Sequence, residues 1–82
     1  MKYPSSAKLI KSVRLKAGLT QLEFATLLGF DSAQFVSNME RGTSAIPAKR
    51  AKKIKSLVSK DQLLKAYIDD VRAMWNEEYD QN

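Results

Sequence analysis

The sequence contains no cysteine and no histidine. The first absence excludes a disulfide framework and a thiol nucleophile, and leaves no redox compartment to be read. The second removes the commonest general base, and together they take away the usual zinc ligands. There is no glycine-rich phosphate loop, and no carboxylate pair at a spacing suited to acid–base work. Asp69, Asp70, Glu77, Glu78 and Asp80 have no metal-loop spacing either and read as solvated charge. An enzyme is not expected, and no cofactor or metal is implied. Long apolar runs are missing as well: nothing approaches a membrane span, and Met1-Lys2 leads into no signal-peptide core. The expectation is a cytoplasmic protein with no membrane partner.

What is present fits one small folded domain. Its 82 residues allow a small core, and a hydrophobic fraction of 44% is ordinary for a folded chain. Charge is placed unevenly. Residues 1–60 hold twelve Lys/Arg against three Asp/Glu, a net of +9, whereas residues 61–82 hold two against six, a net of −4. A basic body with an acidic tail points to a polyanion as the partner of the body.

The organising stretch is Thr20–Gly42, which reads as two short helices joined by a tight turn. Thr20 and Glu23 form a capping box, so a helix starts there, with Phe24, Ala25 and Leu28 on one face. Gly29 stops it. Asp31 or Ser32 caps a second helix, with Val36 and Met39 as its apolar residues, and Gly42 closes it. Two such helices with a small residue, Ala25, at their crossing are what a helix-turn-helix requires. Before them, Met1–Pro4 reads as an arm with disorder as the default. Ser5 or Ser6 then caps a helix that runs to about Ala17, with Ile10, Val13 and Ala17 inward. After them comes a loop from Thr43 to Ile46. A helix from Pro47 to Val58 follows, with Ala51, Ile54 and Leu57 or Val58 inward, and its lysines are read mainly as a solvated face. Ser59-Lys60-Asp61 caps a last helix that runs to Tyr79.

GLTQLEFATLLGF followed by SAQFVSNMERG resembles the helix-turn-helix of the phage repressor and Cro family, also called the XRE family. The matching positions are Gly18-Leu19-Thr20-Gln21, Ala25, Leu28-Gly29 and Glu40-Arg41-Gly42, within a region from about Ile10 to Leu57. The resemblance implies an all-α, five-helix, lambda-repressor-like helix-turn-helix domain. One residue more than the commonest family spacing separates Gly29 from Glu40. It is assigned to the turn, at Phe30-Asp31, and leaves two registers open for the second helix. The reading divides the chain into a four-helix DNA-binding core, residues 1–58, and a C-terminal helix with an acidic tail, residues 59–82.

A helix in the major groove presents its first turns to base edges. Gln34 and Asn38 lie four apart on one face, and each amide can both donate to and accept from an adenine edge. The family matches add Ala33 and Ser37, so Ala33, Gln34, Ser37 and Asn38 are the candidate base readers. Against this, Asp31 and Gln34 could form a capping box that ties Gln34 to the backbone. Phe35 is either a thymine-methyl contact or a core residue, with the core preferred. The resemblance also implies phosphate contacts from Gln21, Arg41, Thr43, Ser44 and Lys49, and a structural ion pair between Arg14 and Glu40.

Leu64, Tyr67, Ile68, Val71 and Trp75 form a stripe that is wide for a helix covering one small core. Tyr67, Val71, Trp75 and Tyr79 are candidate dimer contacts, and packing of all of them on the monomer is the alternative. The functional expectation is a sequence-specific double-stranded-DNA-binding transcription regulator of phage, prophage or mobile-element type, working as a homodimer on a pseudo-palindrome. The alternative is an interaction module, such as an antitoxin, whose main partner is a protein gripped by the last helix.

Overall fold

Five helices follow one another in the computed structural model, which describes residues 1–81: α1 (Pro4–Lys16), α2 (Gln21–Leu27), α3 (Gln34–Glu40), α4 (Ala48–Ala51) and α5 (Lys60–Tyr79). A short 3-10 turn, Lys52–Ile54, extends α4. Among the described residues the fold is all-α, as the resemblance implies.

The core draws on four of the segments. Ile10 and Val13 come from α1, Phe24, Ala25 and Leu28 from α2 and its end, Val36 and Met39 from α3, and Ile54 and Val58 from the segment after α4. Ala25 is completely buried, and α2 and α3 pack against each other. The capping box of α2 is formed. Thr20 Oγ1 accepts from the Glu23 amide at 3.1 Å, and the Thr20 amide donates to Glu23 Oε1 at 2.9 Å. The bond from the Thr20 amide, and to a smaller extent the Thr20 hydroxyl, holds the Glu23 carboxyl below the ordinary carboxylate range.

Two glycines are needed at the helix exits. Gly29 has φ +85°, a left-handed conformation that lets the amide of Phe30 return to Ala25 O at 2.9 Å and its own amide to Thr26 O at 3.0 Å. Gly42, at φ +76°, ends α3 in the same way, with Thr43 and its own amide returning to Asn38 and Met39. A Cβ on Gly42 would also run into the Met1 side chain.

Several local expectations are corrected. Neither Ser5 nor Ser6 caps α1: the helix begins at Pro4, and no side chain of its own first turn caps it. Asp70, expected as solvated charge, supplies the cap from α5. It is 2% exposed, and its two oxygens accept from the Ser5 amide at 2.7 Å and the Ser6 amide at 2.9 Å. A carboxylate at a helix start satisfies free amides and meets the positive end of the helix dipole. The N-terminal arm is also fastened. The amides of Lys2 and Tyr3 both donate to Gly42 O at 2.9 Å, and the Tyr3 ring stacks on Tyr67 at 6.1 Å.

Ala17 is exposed, because α1 ends at Lys16 and the chain turns away toward Gly18. The helix expected to run from Pro47 to Val58 is broken: α4 spans only Ala48–Ala51, and after the 3-10 turn the chain bends to bring Ile54 and Val58 inward while Leu57 stays exposed. Tight 3-10 geometry shifts the inward positions relative to a continuous α-helix.

α5 packs along α1 through a different face from the wide stripe. Ala66 and Asp70 are its buried residues, and Leu63 packs against the core, whereas Leu64, Tyr67, Ile68, Trp75 and Tyr79 are exposed. The groups that α1 leaves unsatisfied are amides rather than apolar surface, and they turn Asp70 inward.

Asp70→Ala is expected to destabilise the fold by about 2–3 kcal/mol, since two covered amides lose their acceptor. Asp69→Ala removes only an exposed pair with Lys65 and should cost under about 0.5 kcal/mol. Urea denaturation of the two variants measures the difference. Equal effects would mean that the cap contributes nothing.

Candidate nucleic-acid interface

α3 has only seven residues, too few to hold a helical conformation unaided, so its position depends on the burial of Val36 and Met39 and on what grips its two ends. At its C-terminal end the grip is Glu40. Arg14 Nε donates to Glu40 Oε2 at 2.6 Å, and a second guanidinium nitrogen of Arg14 donates to Oε1 at 3.0 Å. The remaining guanidinium nitrogen donates to Leu19 O at 2.9 Å, and Gln21 Nε2 donates to Glu40 Oε1 at 3.2 Å. One carboxylate therefore joins α1, the entry to α2 and the end of α3.

The side chains of Arg14 and Glu40 are 12% and 6% exposed. Burial pushes the Glu40 carboxyl up. The bonds from Arg14 and Gln21 and the charges of Arg14 and Lys11 together outweigh that and hold it below the ordinary range. The same bond to Glu40 raises the Arg14 guanidinium further, against the effect of its burial.

At the N-terminal end of α3 the grip is aromatic. Phe30, the residue after Gly29, stacks on Phe35 with ring centroids 4.7 Å apart. Arg50 lies over Phe30 at 4.6 Å, and its guanidinium donates to Gly29 O at 2.8 Å and Leu28 O at 3.2 Å. A cation over a ring and against the carbonyl end of α2 ties α4 to the turn. In the sequence Arg50 is one basic residue among Lys49, Lys52, Lys53 and Lys55. The only available signal is its type, since one planar group can stack and donate at once. Phe35 is half-buried against the core, and the Phe30 stack accounts for its inner face.

The start of α3 differs from the expectation. Neither Asp31 nor Ser32 stands at the cap: Ala33 does, with helical angles and no side-chain cap. Ser32 Oγ accepts from the Gln34 amide only at a long 3.4 Å. The capping box between Asp31 and Gln34 is not formed, because the Gln34 side chain turns along the helix to Asn38.

The outward face of α3 carries a connected polar row. Gln34 Nε2 donates to Asn38 Oδ1 at 3.1 Å, and Arg41 donates to the same oxygen at 2.6 Å. Gln34 and Arg41 are exposed, while Ala33, Ser37 and Asn38 are partly so. Thr43 Oγ1 donates to Asn38 O at 3.0 Å, which fixes the loop after α3. Beyond it Ser44 is partly exposed and Lys49 is exposed.

Of the residues assigned to phosphate contact, Gln21 is engaged with Glu40 and Arg41 with Asn38, whereas Ser44 and Lys49 have no side-chain bond among the described residues. Apart from Ala33 the side chains of this face are polar or basic, which suits a polyanion such as nucleic acid. Among the described residues no cluster of His, Cys, Asp or Glu could hold a metal ion, and no helix is long and apolar enough to cross a membrane.

A family model described as helix-turn-helix matches residues 10–56. No curated protein and no solved structure matches the chain. The matched span runs from the buried Ile10 of α1 to just past the buried Ile54, and so takes in both grips on α3.

Glu40→Ala is expected to cost more than Arg14→Ala, on the order of 3–5 kcal/mol. A stranded carboxylate can escape by taking up a proton, and a stranded guanidinium cannot. Glu40 has a lower pKa folded than unfolded. Its contribution is therefore full above the ordinary value of 4.5 and is lost as the pH falls through the folded-state pKa. Melting curves should show the stability gap between the parent chain and Glu40→Gln close as the pH drops below that value. A gap constant down to low pH would contradict an ionised pair.

Proposed function

The chain belongs to the XRE helix-turn-helix family and is a DNA-binding transcription regulator of that type, and on that premise we propose that it is a phage- or mobile-element-type regulator that binds a pseudo-palindromic operator as a homodimer. The observation that carries this reading is the polar row Gln34–Asn38–Arg41 on a short helix clamped at both ends. Clamping lowers the entropy lost on binding, because the reading side chains are held before DNA arrives.

α3 lies in the major groove, and Ala33, Gln34, Ser37 and Asn38 face base edges. Asn38 Oδ1 already accepts two bonds, so Asn38 offers its amide hydrogens outward, and Gln34 offers its carbonyl oxygen. The pair thus presents a donor beside an acceptor, the pattern that an adenine edge complements. Gln21, Arg41, Thr43, Ser44 and Lys49 lie against the sugar-phosphate backbone and set orientation without reading sequence. Two copies place their α3 helices about one DNA turn, ~34 Å, apart. Function without a membrane accords with a cytoplasmic setting.

A second reading, an interaction module such as an antitoxin, draws on the exposed Trp75 and Tyr79 of α5. Selection of bound duplexes from a random DNA pool at physiological salt separates the two. An inverted repeat is the expected outcome, and salt-sensitive binding with no enriched sequence would favour the interaction module.

Asn38→Ala should relax preference at the operator position it reads and cost about 1–3 kcal/mol there. Because the bonds from Gln34 and Arg41 both end on Asn38, preference at the neighbouring position should loosen as well. Equal loss of affinity on all sequences would make Asn38 a backbone or structural residue.

A further inference from the structure

A groove of about 430 Å³ lies between the α4 segment and the first turns of α5. It is open because α5 packs mainly along α1. Ala45, Ala48 and Ala51 line it on the α4 side, and their single methyl groups leave space before Leu63, Leu64 and Tyr67 of α5. Apart from Ser6 and the Tyr67 hydroxyl, the uncharged lining is apolar.

The charged side chains that line the groove all have one sign. They are Lys52, Lys55 and Lys60, all exposed, and no acidic residue lines it with them. Among the described residues none of the three has an ion-pair partner. Nor do Lys52 and Lys55 share the work of their basic neighbours. Arg50 donates to Gly29 O at 2.8 Å, and a Cβ on Gly29 would lie 3.5 Å from Lys53 Nζ, so those two attend the turn before α3. Lys52 and Lys55 border the groove instead.

A concavity of this volume with a mostly apolar lining suits a small molecule, for which roughly 300–1,000 Å³ is typical. Lysine stems lie along apolar surface and hold their ammonium groups at its edge. A neutral occupant would leave that edge unanswered, and a bare inorganic anion would leave the apolar lining in water. A helical protein segment would need anchors repeated along a longer face, whereas the groove reaches no further along α5 than Tyr67.

We infer that the groove binds a free small molecule with an apolar chain and one anionic head group, of the class of a medium-chain alkyl carboxylate. The chain lies over Ala48, Ala51, Val58 and Leu64, and the head group meets the three lysines. The site is separate from α3, and its occupancy does not presuppose what α3 reads.

Titration of the full chain with sodium octanoate and sodium decanoate, each below its micellar concentration, provides the test, followed by amide-resolved NMR. Saturable shifts centred on Ala48, Ala51 and Leu64 are expected. Affinity should rise about 3–4-fold for each methylene between the two probes, the effect of burying it. Lys52→Gln/Lys55→Gln should weaken octanoate about 3–10-fold and leave octanol, its neutral counterpart, unchanged. Ala48→Phe places a ring in the groove and should weaken both probes at least ~10-fold. These three positions are exposed, and circular dichroism melts check folding. If Ala48→Phe does not fold, the lysine pair and the chain-length series carry the test.

Shifts that do not saturate, or that scatter over the whole surface, overturn the inference. So does a lysine substitution that weakens octanoate and octanol alike, or neither. Groove amides that shift when the protein alone is concentrated give the groove to a second copy. Shifts produced by inorganic phosphate but not by decanoate give it to a polyanion, and either result also overturns the inference.

Discussion

The position of α3 depends first on one carboxylate. Glu40 receives both Arg14 and Gln21, and Arg14 in turn holds Leu19 O, so three helices meet at a single buried cluster. A seven-residue helix contributes little stability of its own. What it presents to a partner is therefore determined by how its ends are fixed. Arginine suits this place because its planar group donates in several directions at once and stays charged when partly buried.

Long-range contacts support other helix ends as well. Arg50 closes the carbonyl end of α2 and lies on Phe30, which stacks on Phe35 at the start of α3. Asp70 closes the amide end of α1 from across the molecule. Gly42 O takes the amides of Lys2 and Tyr3 and pins the arm beside the exit of α3. Short helices leave a large share of their backbone groups unpaired, and a small core cannot make up for that by area alone. Charged side chains from distant segments fill the gap. The arrangement holds the polar face of α3 in place while the apolar strip of α5 stays exposed.

Much of this architecture was legible from local signals. Thr20 with Glu23 announced the start of α2, Gly29 and Gly42 the two exits, and the spacing of Ile10, Val13, Phe24, Leu28, Val36 and Met39 the core faces. Those features act through bonds within a few residues of the chain, or through a period of 3.6, and both are written in order along it. The candidate reading face was legible for the same reason, since Gln34 and Asn38 share one side of a helix wherever that helix is placed.

Other features were settled only when the helices came together. Asp70 looks like its acidic neighbours until α1 lies against it, and Arg50 looks like one more cation until the turn after Gly29 folds beneath it. Ser5 and Ser6 have the composition of caps and are not caps, because the acceptor that serves them comes from 65 and 64 residues away. Which stripe of α5 faces inward could not follow from hydrophobicity, since the residues left outside are the more apolar ones. The reason is common to all four: helix pattern and turn chemistry are properties of neighbours in sequence, whereas the partner of a charged or polar group is chosen by whichever unsatisfied backbone group the packed fold brings within reach.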